Sequence, residues 1–117
     1  MSEDNRIKRV RFVDEKVFES YRKLKTGTSE EKLLAENLDK AIGKLKLRPS
    51  SGIKIPSRLW PKEYSVKYGI SNLWKYDLAS GWRLVYTIAG NEVEVISIIL
   101  EWFSHKNYEK RFKYNVK

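Results

Sequence analysis

Residues 73–112 read LWKYDLASGWRLVYTIAGNEVEVISIILEWFSHKNYEKRF, from Leu73 to Phe112, and this stretch sets the plan of the chain. Two apolar runs, 82–88 and 93–102, are parted by Ala89-Gly90-Asn91, and a third, 70–78, precedes them across Ala79-Ser80-Gly81. Gly and Asn tolerate positive φ, so short linkers of this kind between β-rich runs read as hairpins. The expectation is a three-stranded antiparallel meander followed by a short basic, aromatic helix.

Side-chain alternation gives the register. With a three-residue loop at 79–81, Leu78 faces Trp82, Tyr76 faces Leu84 and Trp74 faces Tyr86. Those six share one side, and Lys75, Asp77, Arg83, Val85 and Thr87 take the other, with Asp77 opposite Arg83. The run 93–102 is apolar on both faces, which suits a central strand.

Upstream segments supply the cover. Residues 6–13, RIKRVRFV, alternate as a strand, with Val10 and Phe12 on one side and Arg9 and Arg11 on the other. Asp14 offers an N-cap, and Val17, Phe18, Tyr21 and Leu24 follow at helical spacing. Thr28 and Glu31 form a capping box for a second helix. Leu34, Leu38, Ala41, Ile42 and Leu45 line one face of it, and Pro49 ends it. Placing 6–13 beside 93–101 completes the expected fold. It is a single α+β domain over 1–117, with an antiparallel four-stranded sheet, an N-terminal helical hairpin on one face, and the order β-α-α-β-β-β-α.

Composition narrows the function classes. The 117 residues contain no cysteine and one histidine, His105, too few ligands for a typical zinc site. No long apolar run suggests a membrane span, and the charged start MSEDNRIKRV lacks the apolar stretch of a signal peptide. A soluble cytoplasmic protein is the expectation. The net charge is +9, unevenly placed: residues 44–68 hold seven basic and one acidic side chain, and residues 104–117 hold five and one. If the two segments fold together, they form one electropositive surface suited to a polyanion.

The segment 48–68, RPSSGIKIPSRLWPKEYSVKY, reads as a long connection with irregular or short helical pieces. It interleaves Lys54, Arg58, Lys62 and Lys67 with Trp60, Tyr64 and Tyr68. Cations bind phosphates and aromatic rings stack on bases, so the mix suits single-stranded nucleic acid. Equally, Trp60 and Tyr64 are expected as anchors pinning the connection to the helices.

In the last segment Ser104 caps a helix on which His105, Tyr108 and Phe112 share a side and Lys106 and Lys110 form a neighbouring stripe. A His and a Tyr beside clustered Lys and Arg form a workable RNA-cleaving set. The 2′-hydroxyl must lose a proton, the 5′-oxygen must gain one, and the phosphorane charge must be stabilised. That reaction needs no metal and no cofactor. Nucleotide-binding and hydrolase motifs are absent, and the carboxylates are too scattered for a two-metal nuclease.

The element order, the segment SGWRLVYTI and the ending IILEWFSHKNYEKRF together resemble the RelE/ParE superfamily of toxins from toxin–antitoxin pairs. The resemblance implies a metal-independent, ribosome-dependent mRNA endoribonuclease that inhibits translation as the toxin of a type II pair. Its partners would be mRNA on the ribosome and an antitoxin protein. Arg83 matches the family's phosphate-binding sheet arginine, and His105 and Lys106 match its C-terminal basic pair. Tyr108 is a looser match to its terminal tyrosine, and Lys75 lies near its sheet lysines. RNA contacts are expected from Lys54, Arg58, Lys62, Lys67, Lys75 and Lys110. The competing expectation is a non-catalytic protein of the same fold, either a topoisomerase inhibitor or a nucleic-acid-binding domain.

Overall fold

Two helix caps build the first layer. In the computed structural model, which describes residues 4–112, strand β1 (Ile7–Phe12) ends just before Asp14. The Asp14 carboxylate accepts a 2.9 Å bond from Val17 N and starts α1 (Glu15–Leu24). Thr28 and Glu31 bond reciprocally at the start of α2 (Ser29–Leu47), the expected capping box. Leu34, Leu38, Ala41 and Leu45 are buried along one face of α2. They form a core with Leu78, Leu84, Tyr86 and Ile99 of the sheet, closed by Val10, Phe12, Val17 and Tyr21. Truncating a residue such as Leu45 to Ala costs about 2–5 kcal/mol in a core of this kind.

The remaining strands are β2 (Ile53–Lys54), β3 (Trp74–Asp77), β4 (Arg83–Gly90) and β5 (Glu94–Phe103). The expected β3–β4 register is the observed one: Trp74 pairs with Tyr86, Tyr76 with Leu84 and Asp77 with Arg83. Leu78 N bonds to Trp82 O at 2.8 Å. The Asn72 side chain continues this ladder. Its Nδ2 donates to Ile88 O at 2.8 Å, and its Oδ1 accepts from Ile88 N at 2.8 Å and Trp74 Nε1 at 3.1 Å.

The sheet differs from the expected four antiparallel strands in two respects. It has five strands, in the order β1-β5-β4-β3-β2, and it is mixed. Strand β1 does lie beside β5, but parallel to it, with Ile7 opposite Glu94 and Phe12 opposite Ile99. Alternation determines which face a residue takes, not which way the strand runs, and no hairpin joins these two. Strand β2 has two residues, too short for any period to show. It is fixed instead by Tyr86, whose buried hydroxyl donates to Pro49 O at 2.7 Å and accepts from Gly52 N at 3.1 Å. A Cβ on Gly52 would stand 2.4 Å from Lys75 O, so only glycine allows this approach.

The second face of the sheet is covered too, by α3 (Lys62–Tyr68) and α4 (His105–Phe112). Ile55, Tyr64, Leu73, Val85, Leu100, Tyr108 and Phe112 are buried there as a second core. Tyr64 and Trp60 therefore anchor the connection to the face away from α1 and α2, not to those helices. A β-bulge shapes this face. Tyr86 pairs with Ile99 and Val85 with Glu101, which leaves Leu100 as an extra residue. Leu100 joins the second core, Glu101 reaches Arg111 on α4, Trp102 packs on the first core and Phe103 on the second. Among the described residues, no helix is long and apolar enough to cross a membrane.

Candidate functional site

Arg83 opens β4 and is flanked by Asp77 on β3 and Phe103 on β5. The turn before it carries positive φ at Ser80 (61°) and Gly81 (81°). This conformation brings Gly81 against α4, where a Cβ would meet His105 Cβ at 3.2 Å. Arg83 Nη1 donates to Gly81 O at 2.6 Å, and Nη2 lies 3.3 Å from His105 Nδ1. Arg83 Nε stands 3.0 Å from Asp77 Oδ1, an ion pair without hydrogen-bond alignment. The guanidinium carbon sits 5.6 Å from the centroid of the Tyr108 ring. Asp77 also takes Lys75 Nζ at 2.8 Å. Arg83 keeps 18% of its side chain exposed, so the guanidinium is braced but reachable.

The contacts of His105 favour one tautomer of its neutral ring. A guanidinium only donates, so Nδ1 is the acceptor and Nε2 carries the hydrogen. That hydrogen faces Glu109 Oε2, 3.3 Å away one helical turn on. The Ser104 hydroxyl accepts from Asn107 N at 3.3 Å, the expected cap of α4.

The fold thus gathers Lys75, Arg83, His105 and Tyr108 in one cluster. Tyr108 is 2% exposed and backs the guanidinium from within the second core. Lys106 is exposed on the outer side of α4. Lys54, on the edge strand β2, and Lys67, 5.3 Å from the Tyr68 ring, are exposed outside the cluster. Lys113 and Lys117, counted in the basic tail, lie outside the described residues.

Arg58, Lys62 and Lys110 meet elsewhere. They line an 860 Å³ groove between residues 58–63 and α4, with Trp60, Phe103, Asn107 and Arg111. The two basic segments of the sequence therefore do converge over the α3–α4 face. Arg111 was not singled out from the sequence. It lies between the buried positions Tyr108 and Phe112 of α4, and its role depends on the bulge that turns Glu101 toward it. Arg111 bridges Glu63 at 2.5 Å and Glu101 at 3.5 Å, and lies over the Tyr64 and Phe103 rings. Burial, then the Glu101 carboxylate, pushes the Tyr64 hydroxyl far above the usual phenol range.

Among the described residues no cluster of three His, Asp or Glu side chains is placed to hold a metal ion. Comparison with known proteins adds no relative: no family model, no curated protein and no solved structure matches the chain.

Proposed function

We propose that the chain is a RelE-like toxin of a type II toxin–antitoxin pair, an endoribonuclease that cuts mRNA on the ribosome without a metal. The observation that supports this reading is the contact of Arg83 with His105 beside Lys75, on the one face where the basic connection and α4 also meet. Arg83 and Lys75 would hold the scissile phosphate and the charge that builds on it, the largest contribution expected in such a site. When Arg83 Nη2 turns to that phosphate, His105 Nδ1 is released to take the 2′-hydroxyl proton. The oxygen then attacks phosphorus, giving a 2′,3′-cyclic phosphate and a 5′-hydroxyl. The protonated His105 returns its proton to the leaving oxygen, and Lys106 adds positive charge nearby. Tyr108 acts beneath the guanidinium as a support. An antitoxin with an acidic, flexible segment would cover the same basic face.

In vitro translation with purified protein tests this reading. The expected result is truncated mRNA with the native chain and intact mRNA with Arg83→Ala. Intact mRNA with the native chain overturns it.

One observation favours a second reading. Asp77 already neutralises part of the charge on Arg83 and Lys75. A binding protein of the same fold, without cleavage, would carry such a carboxylate at no loss. Inhibition of DNA supercoiling with mRNA left intact would support that reading.

A further inference from the structure

We infer that the groove between residues 58–63 and α4 is an anchor site for single-stranded RNA, separate from the Arg83 cluster. The inference rests on the RNA-cleaving reading for its ligand, but not on cleavage itself. Four cations line the groove, and one of them, Arg111, is already matched by Glu63 and Glu101. Those pairs also occupy Glu63, the groove's single carboxylate. The side chains of Arg58, Lys62 and Lys110 form no ion pair or hydrogen bond with another described residue. Three unmatched cations converging on one concave surface repel one another, and a sugar–phosphate chain relieves that repulsion.

The walls between the cations are not those of a plain phosphate site. Trp60 is held by its Nε1, which donates to Ile55 O at 2.9 Å, and Phe103 packs against Phe112. Asn107 adds an amide that both donates and accepts, suited to a base edge. Fixed aromatic surfaces beside phosphate-binding cations characterise single-strand binding. A volume of 860 Å³ accommodates a nucleotide or more.

Helix α4 separates this groove from Arg83. His105 and Tyr108 touch Arg83, while Asn107, Lys110 and Arg111 line the groove on the helix's other flank. A strand reaching both must cross a helix about 10 Å wide. Short oligonucleotides therefore reach one station and longer ones reach both.

The test is fluorescence polarisation with a labelled 2′-O-methyl oligoribonucleotide of about ten nucleotides, which binds but cannot be cut. Lys62 and Lys110 are exposed, so Lys62→Ala/Lys110→Ala is expected to fold. The expected result is at least a tenfold loss of affinity and a salt dependence reduced by about two. The charge-matched control Lys32→Ala/Lys40→Ala, on α2, is expected to bind like the native chain. Unchanged affinity in the groove variant, an equal loss in the control, or equally tight binding of duplex RNA overturns the inference. Truncated mRNA protected by Arg83→Ala, with oligonucleotide binding indifferent to the groove, sinks this site alone. Groove-dependent binding with uncut mRNA sinks the nuclease reading alone.

Discussion

Asp77 Oδ1 lies 3.0 Å from Arg83 Nε, across the β3–β4 pair, with half of the carboxylate side chain in solvent. Exposed pairs of this kind contribute little to folding, of order 0–1 kcal/mol. Its weight falls on the electrostatics of the site, where the carboxylate stands where an anionic ligand would. Asp77→Asn is expected to leave the unfolding midpoint nearly unchanged and raise affinity for the inert oligoribonucleotide several-fold. Equal or weaker binding would show that Asp77 orients Arg83 more than it masks it.

Gly81 is the hinge of the same site. Its φ of 81° strains any residue with a Cβ, and that Cβ would press on His105 at 3.2 Å. Gly81→Ala is expected to lower stability by about 1–2 kcal/mol and to disturb the Arg83–His105 contact. Urea titration checks the first effect, and the His105 imidazole resonances in NMR check the second.

Asn72 acts as an added residue of the β3–β4 ladder. Replacing it with Ala strands Ile88 N, Ile88 O and Trp74 Nε1 in partly buried surroundings. A loss of about 2–3 kcal/mol is expected from unmade hydrogen bonds, visible in the denaturant midpoint. Hydrogen exchange should quicken first at Ile88.

Burial pushes the Tyr86 hydroxyl up to about 12 from an ordinary 10, although its bond from Gly52 N acts the other way. The folded state therefore keeps this proton where the unfolded chain loses it. Its contribution is full below about pH 10 and drains away as pH climbs towards 12, by about 2–3 kcal/mol. Tyr86→Phe should flatten that alkaline fall in stability, at the expense of the bonds to Pro49 and Gly52 at neutral pH. An undiminished alkaline slope in the variant would falsify the assignment to Tyr86, leaving Tyr64, which is shifted in the same direction, as its source.

The parts of this fold that were readable in sequence are those with repetition or a local cap. Thr28 and Glu31 announce α2, and six alternating aromatic and Leu residues fix the β3–β4 register. The second core left less trace. Tyr108 and Phe112 share a side of one short helix, but Tyr64, Leu73, Val85 and Leu100 come from other elements, so no single period links the set before the chain folds. Likewise Arg83 and His105 of the candidate cluster stand out in the sequence through a resemblance and a cap, whereas the groove depends on distant segments meeting. Arg111 takes its place from Glu63 and Glu101 on either side of it, carboxylates 48 and 10 positions away in the chain.

The extra residue at Leu100 has a consequence for the tail. It resets the phase of β5, so that the final residues run out of step with the first six. Strict alternation through all ten residues, with no bulge, would turn Trp102 toward α4 and Phe103 toward α2. The closing helix would then leave the sheet on the wrong side, carrying His105 away from Arg83. The bulge is thus what puts the tail on the α4 side, and removing Leu100 outright would take a side chain from the second core while leaving the phase of residues 101–103 unchanged.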